Sequence, residues 1–217
     1  MTKIQLSNKS LWVSWIIVTS MGMSLGLSFG FALVRVFNDN FAYKYETLFL
    51  LFLITLGGLF IGLGQYFILR TKLRNVWLWV PATTIGLPLG FFISFWAIDF
   101  SLRFISFDDW VYTFLWSSFT GIFLGLLQGV SLHRTSTFLF RWVIVTGLSW
   151  GLSMTFIGGI FVSYLQSIEF IPYGFLYWMI VGLCIGIVVG AINGAFVETT
   201  FFNYKFEQNE STFLNAS

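Results

Sequence analysis

The chain has 217 residues, of which 57% are hydrophobic and 21% aromatic, while only 9% are Asp, Glu, Lys or Arg. Soluble domains carry roughly 25% charged residues, so a water-soluble globular domain is excluded, and a mean hydropathy of +0.85 makes lipid the solvent for most of the chain. A formal net charge of +2 is too small to imply a nucleic-acid partner.

Six apolar stretches follow in chain order, at about residues 11–36, 48–69, 76–98, 111–132, 138–165 and 173–197. Each reaches the ~20 residues that cross a ~30 Å hydrocarbon core as a helix. The first is too long for the ~7–15-residue apolar region of a cleavable signal peptide and has no clear small-x-small site before the first loop, so it is expected to remain in the mature protein. Uniform apolarity over such lengths argues against the ~10-residue alternating strands of a membrane barrel. The expected fold class is therefore an all-α integral membrane protein with six transmembrane helices. A single membrane domain occupies residues 1–198, and residues 199–217 form a polar cytoplasmic tail. Lys3, Lys9, Arg70, Lys72, Arg74, Arg134, Arg141 and Lys205 fall on the side of the N-terminus, and Arg35, Lys44 and Arg103 on the other. Asp39, Glu46, Asp99, Asp108, Asp109 and Glu169 accompany the minority side. The excess of basic residues places both termini in the cytoplasm.

The spans repeat one another. Trp15, Trp79 and Trp142 are each followed four residues later by a threonine, Thr19, Thr83 and Thr146, and then by small residues: Gly22 and Gly26, Gly86 and Gly90, Ser149 and Ser153. On a helix these positions share a stripe about 60° wide. In the even-numbered spans Gly58, Gly62 and Gln65 match Gly121, Gly125 and Gln128, then Gly182 and Gly186 with Val189 in the glutamine's place. Three tandem parallel two-helix repeats are expected, at about 11–70, 75–134 and 138–198, related by a pseudo-threefold axis along the membrane normal.

Each residue type has a structural role to fill. Lipid tails are as apolar as leucine, so the glycines are read as helix-packing faces that let backbones approach. The tryptophans suit the interfacial aromatic belt. Gln65 and Gln128 suit interhelical hydrogen bonds of about 0.6 kcal/mol each. A second reading makes Gln65, Gln128, Thr19, Thr83 and Thr146 a polar ring, with Asn193 supplying the third repeat's amide, that lines a small cytoplasm-facing cavity.

The stretch Gly62-Leu-Gly-Gln65-Tyr66-Phe-Ile-Leu69-Arg70, followed by Trp79, Thr83, Gly86 and Gly90, resembles a pattern in uncharacterised multi-spanning membrane proteins of cyanobacterial type. Those proteins carry Gln-Trp-x-x-Leu-x-Arg-like sequence at the end of a small-rich helix. Tyr66 replaces the tryptophan here, and the second copy, from Gln128 to His133 and Arg134, has no aromatic at that place. The resemblance implies an integral membrane protein and transfers no functional residue. It adds a cyanobacterial thylakoid to the bacterial plasma membrane as the expected location.

Catalytic constellations are thin. With one histidine, His133, and one cysteine, Cys184, the chain cannot form bis-histidine haem ligation, a cysteine cluster, a His/Cys zinc site or an internal disulfide. Gly147-Leu-Ser149-Trp-Gly151 matches G-x-S-x-G, but that motif needs a strand-turn-helix elbow, and no lysine or histidine base lies at its depth. Arg35, Asp99, Arg141 and Glu198 sit near span ends, which argues against ion coupling. Pro81 and Pro88 are expected to bend the third span. The segment Asp99–Trp110 is read as lying along the outer interface, with Asp108 and Asp109 too few for a calcium site. No enzyme activity and no cofactor are expected. The first functional reading is a scaffold or assembly factor whose partners are the bilayer and a membrane protein or a second copy of the chain. The alternative is a small-solute facilitator or channel with the Gln/Thr ring as its constriction. Pigment binding through amides ranks third. The parallel three-hairpin layout is shared with mitochondrial carriers by topology alone, since their Pro-x-Asp/Glu-x-x-Lys/Arg signature is absent.

Overall fold

Without water in the hydrocarbon core, every span must satisfy its own backbone N–H and C=O groups, and a helix does this within one segment. The computed structural model describes residues 8–36, 39–73, 76–102, 108–132, 136–161 and 175–214. In chain order these form α1 (Asn8–Val36), α2 (Asp39–Leu69), α3 (Trp79–Leu102), α4 (Asp109–Ser131), α5 (Ser136–Ser153) and α6 (Phe175–Leu214). A π-helical segment, Met154–Phe161, continues α5. Six stretches are long and apolar enough to cross a membrane: Leu11–Gly30, Leu51–Leu69, Trp79–Ile98, Asp109–Ser131, Ser136–Ile157 and Phe175–Thr199. The chain is an all-α integral membrane bundle.

Starts and stops follow local chemistry. Asp108, extended at φ −60° and ψ 142°, precedes α4, and Asp109 puts a negative charge in its first turn, where the helix dipole favours it. α3 runs through both prolines. Pro88 has no N–H to offer the Thr84 carbonyl, a carbonyl that faces the neighbouring Gly58. α6 runs past residue 199, so the segment expected as a polar tail begins as a continuation of the last membrane helix. Lys3, Arg74, Arg103, His133, Arg134 and Glu169, and the central part of the segment from Asp99 to Trp110, lie outside the described residues.

Each helix packs on the next in sequence, and α6 packs on both α5 and α1, which closes a ring. An even number of crossings brings the start of α1 beside the later part of α6. There the Trp12 indole Nε1 donates to the Ala191 carbonyl at 2.9 Å. This side is called the terminal end below, and the other the far end.

Small residues set the closeness of the seams. A Cβ on Gly26 would stand 2.6 Å from the Gly57 Cα, and one on Gly182 would stand 2.6 Å from the Met23 carbonyl oxygen. Gly22 lies against Ile61, Gly86 against Leu124, and Gly90 against the Thr120 carbonyl. Hydroxyls add to these contacts: Ser24 Oγ donates across the α1–α6 seam to the Met179 carbonyl at 2.9 Å. Thr120 Oγ1 and Ser94 Oγ lie 3.2 Å apart across the α3–α4 seam.

The polarity is inverted relative to a soluble protein. Thr19, Ser28, Thr83, Ser94, Thr146 and Ser149 are buried, while Ile17, Met21, Ile85, Trp96, Phe140 and Leu148 face outward. In water that exterior would be an aggregation surface, whereas in a bilayer it is solvated. Replacing Gly26 with leucine should lower stability in detergent by at least ~1–3 kcal/mol through overpacking. Ile85→Leu on the lipid face should stay within ~0.5 kcal/mol. Thermal unfolding followed by circular dichroism compares the two.

Candidate functional site

The bundle axis is filled in layers that can be read from the terminal end inward. The first is a triangle of indoles, from α1, α3 and α5. Trp15 and Trp79 have ring centroids 6.0 Å apart at 70°, Trp15 and Trp142 6.4 Å at 89°, and Trp79 and Trp142 5.7 Å at 55°. All three are at most 1% exposed. The interfacial belt expected for them is therefore not where they lie. The same helix stripe that carries them carries the small packing residues, so it turns inward, and edge-to-face contacts replace the headgroups. Leu11, Ile68, Leu69, Val76 and Val197 surround the triangle.

One helical turn deeper lie the threonines and amides. Gln65 Nε2 donates to Thr19 Oγ1 at 3.1 Å, and Gln65 Oε1 accepts from Trp79 Nε1 at 3.0 Å. One amide thus ties α1, α2 and α3 together. Gln128 Nε2 donates to Thr83 Oγ1 at 2.9 Å, and that hydroxyl donates to the Trp79 carbonyl at 2.8 Å. Glycines make this reach possible. Without a Cβ at Gly62 and Gly125, α3 and α5 come near enough that Thr83 Cβ and Thr146 Cβ lie 3.1 Å and 3.0 Å from the respective Cβ sites. Gly58 and Gly121 likewise lie against the Thr83 and Thr146 carbonyls. On α6, Gly186 lies against the Thr19 carbonyl and Gly190 against Thr19 Cβ. Among the described residues, Trp15 Nε1, Trp142 Nε1, Thr146 Oγ1 and Asn193 Oδ1 are buried with no hydrogen-bond partner.

The next layer is apolar, with Met23, Ile61, Leu87, Leu124 and Trp150 contributing one residue each from α1 to α5, and Tyr177, Val181, Ile185 and Val189 coming from α6. Val189 belongs here, in the apolar core. Beyond it, toward the far end, opens a cavity of about 300 Å³. Met23, Leu87 and Trp150 contribute to its lining, and its walls include Leu27, Leu53, Ile54, Phe91, Trp116 and Met154. Met154 opens the π-helical segment, a geometry that recurs at functional sites.

Gln65, Gln128, Thr19, Thr83, Thr146 and Asn193 thus all lie buried between helices, and none of them lines this cavity. Of its walls, Gly26 was singled out from the sequence, as a packing residue, and the rest were not, because methionine and aromatic residues in the far halves of spans look the same whether they face lipid or a cavity. Gly30 and Gly57, outside the glycine pattern, also line it and carried the available signal. Ser149 lies inside continuous helix and donates to the Thr146 carbonyl at 2.9 Å, so the G-x-S-x-G match forms no elbow. Cys184 is half-buried on α6. Asp108 and Asp109 are exposed, and among the described residues no group of three or more His, Cys, Asp or Glu could hold a metal ion. At the end of α2, the Arg70 guanidinium lies 4.6 Å from the Phe67 ring centroid.

Compared with protein-family models, curated proteins and solved structures, the chain matches none of them. The function must be argued from the site alone.

Replacing Gln65 with leucine strands two buried partners, Thr19 and the Trp79 N–H, and should destabilise the bundle by ~1–3 kcal/mol. Gln128→Leu, which breaks one such bond, should cost less. Unfolding midpoints in detergent for the two variants would establish the order.

Proposed function

We propose that the protein is a non-enzymatic small-solute facilitator or channel, closed in this conformation by the tryptophan triangle and the Thr/amide layer. The buried polar layer between helices carries the reading. Glycine seams are enough to hold a bundle together, and an amide buried in lipid with incomplete partners costs free energy. A scaffold, the first expectation from sequence, works through its outer faces and gains nothing from such a layer. A solute crossing the bilayer must exchange its water for protein hydrogen bonds, and hydroxyls and amides supply them. The largely apolar cavity on the far side of the layer favours neutral solutes over ions, because among the described residues its walls hold the hydroxyl residues Ser117 and Thr120 but no charged side chain to repay the desolvation of an ion.

The same reading treats the bundle as three tandem parallel hairpins around one axis. Supporting it, Trp15, Trp79 and Trp142 meet as one triangle. Met23, Leu87 and Trp150, with Ile61, Leu124 and Val189, are a set of one residue from each helix in the apolar layer, to which α6 adds Tyr177, Val181 and Ile185. Gly58 and Gly62 meet Thr83 as Gly121 and Gly125 meet Thr146, and as Gly186 and Gly190 meet Thr19. That last pairing sets the third hairpin four residues further along than the glycine spacing suggested. Asn193, three residues after Gly190, then takes the place of Gln65 and Gln128, and Val189 matches Ile61 and Leu124. Both termini are assigned to the cytoplasm of a bacterial plasma membrane or thylakoid, on the distribution of basic residues.

Osmotic swelling of proteoliposomes in glycerol or urea tests the transport reading. Native protein should speed swelling over protein-free vesicles, Trp79→Ala should speed it several-fold further by opening the triangle, and Gln65→Ala combined with Gln128→Ala should change it. Swelling no faster than protein-free vesicles for both native protein and Trp79→Ala would defeat this reading. A stoichiometric membrane partner after mild-detergent purification would then favour the scaffold.

A further inference from the structure

We infer that the seam between α5, α6 and α1 holds a binding site for one water-sized, neutral, hydrogen-bonding molecule, formed by Thr146 Oγ1, Asn193 Oδ1 and Trp15 Nε1. The inference rests on the three-hairpin register above and does not require that the protein transport anything. In the first hairpin a glutamine amide bridges threonine and indole: Thr19, Gln65 and Trp79 are joined at 3.1 and 3.0 Å. The matching trio in the third hairpin is Thr146, Asn193 and Trp15. The asparagine side chain is one methylene shorter than glutamine and makes no hydrogen bond to Thr146 Oγ1 or Trp15 Nε1. All three of its matching polar atoms are without a hydrogen-bond partner among the described residues, and all three residues are buried, at 0%, 4% and 0% exposure.

Other contacts bring the Trp15 indole beside Asn193 and hold α5 against α6, while Thr146 Oγ1 lies 3.2 Å from the Cβ site of Gly125 on α4. Trp15 Cδ1, bonded to the indole nitrogen, lies 3.2 Å from the Cβ site of Gly194, the residue next to Asn193. The Trp142 and Phe196 rings, 5.8 Å apart, tie α5 to α6 at this depth. Thr146 lies one turn inward from Trp142, and Asn193 about one turn inward from Phe196. The α5–α6 contact is also the least extensive of the six interhelical seams.

The donor set specifies the ligand. The indole N–H only donates, the amide oxygen only accepts, and the threonine hydroxyl does either. A molecule that satisfies all three must both accept and donate, as water does. The trio itself carries no formal charge, which favours a neutral ligand over an ion. Buried waters typically make about three such bonds. If the pathway of the facilitator passes through the bundle wall, this seam is where polar groups are free to receive its solute.

The test uses water as the probe, with nitrogen-15-labelled indoles observed by NMR in detergent and the Trp15 signal assigned through Trp15→Phe. Native protein should show magnetisation transfer from water to the Trp15 indole proton. Asn193→Gln should complete the bridge, abolish that transfer, slow indole hydrogen exchange about tenfold and raise Tm by about 2–4 °C. Loss of stability with unchanged transfer would overturn the site. If Asn193→Gln does not fold, Thr146 decides. Thr146→Ser should leave transfer and Tm as in the native protein, and Thr146→Val should lower both. A rise in Tm with Thr146→Val would mean that the hydroxyl bonds to nothing, and would overturn the inference. None of these readouts depends on flux, so a protein that transports nothing and one that lacks the site give different results.

Discussion

Lipid removes the hydrophobic effect as a reason for helices to associate, since a leucine gains nothing by leaving an acyl chain for another leucine. What remains is contact between backbones at distances that only residues without a side chain allow. Gly26 against Gly57, Gly58 against Thr83, Gly121 against Thr146, and Gly186 against Thr19 are such contacts, and the placement of every other group follows from them. Because these stripes face neighbouring helices, the residues beside them on the same helix, the tryptophans and threonines, turn toward the axis. The branched and aromatic residues on the opposite side turn toward lipid.

Once the backbones are this close, short side chains span between helices. A glutamine reaches a threonine on one neighbour and an indole on the other because no Cβ holds the helices apart. The same closeness makes errors of a single methylene visible. Gln65 bonds both a threonine and an indole, Gln128 bonds a threonine while Trp142 Nε1 has no partner among the described residues, and Asn193 Oδ1, Thr146 Oγ1 and Trp15 Nε1 are all unpartnered there. The hydrogen bonding of the polar layer therefore differs around the axis, from satisfied groups at Gln65 to unpartnered ones at Asn193, although all of these residues are buried.

The six spans and the Trp-Thr-small stripes were legible in sequence because both rest on local rules, apolar length and helical periodicity. Which way a stripe faces was less legible. Tryptophan near the end of a span suits the lipid interface equally well, and only the glycines on the same stripe, whose demand for a neighbour is stronger, place Trp15, Trp79 and Trp142 inside. The register of the third even-numbered span is ambiguous in sequence for a different reason. α6 carries glycine at 182, 186, 190 and 194, an unbroken run at four-residue intervals, so any of three adjacent registers fits its spacing. The contacts of Gly186 and Gly190 with Thr19 support the register of the proposed three-hairpin reading, in which Asn193 rather than Val189 stands in the glutamine's place. Apart from the glycines in its wall, the cavity near the far end had no sequence signature, since methionine and aromatic side chains satisfy lipid and a ligand alike.

The last helix has a mechanical consequence. α6 is 40 residues long, about 60 Å at 1.5 Å per residue, or roughly twice the thickness of a hydrocarbon core. Its continuation past the membrane span extends from a helix that packs extensively on α1 and only lightly on α5 among the described residues. A tilt of a few degrees at Asn193, too small to separate α6 from α1, displaces the tip of that continuation laterally by an ångström or more. By lever geometry alone, a tilt at the depth of the polar layer is magnified along this helix in proportion to the distance from it.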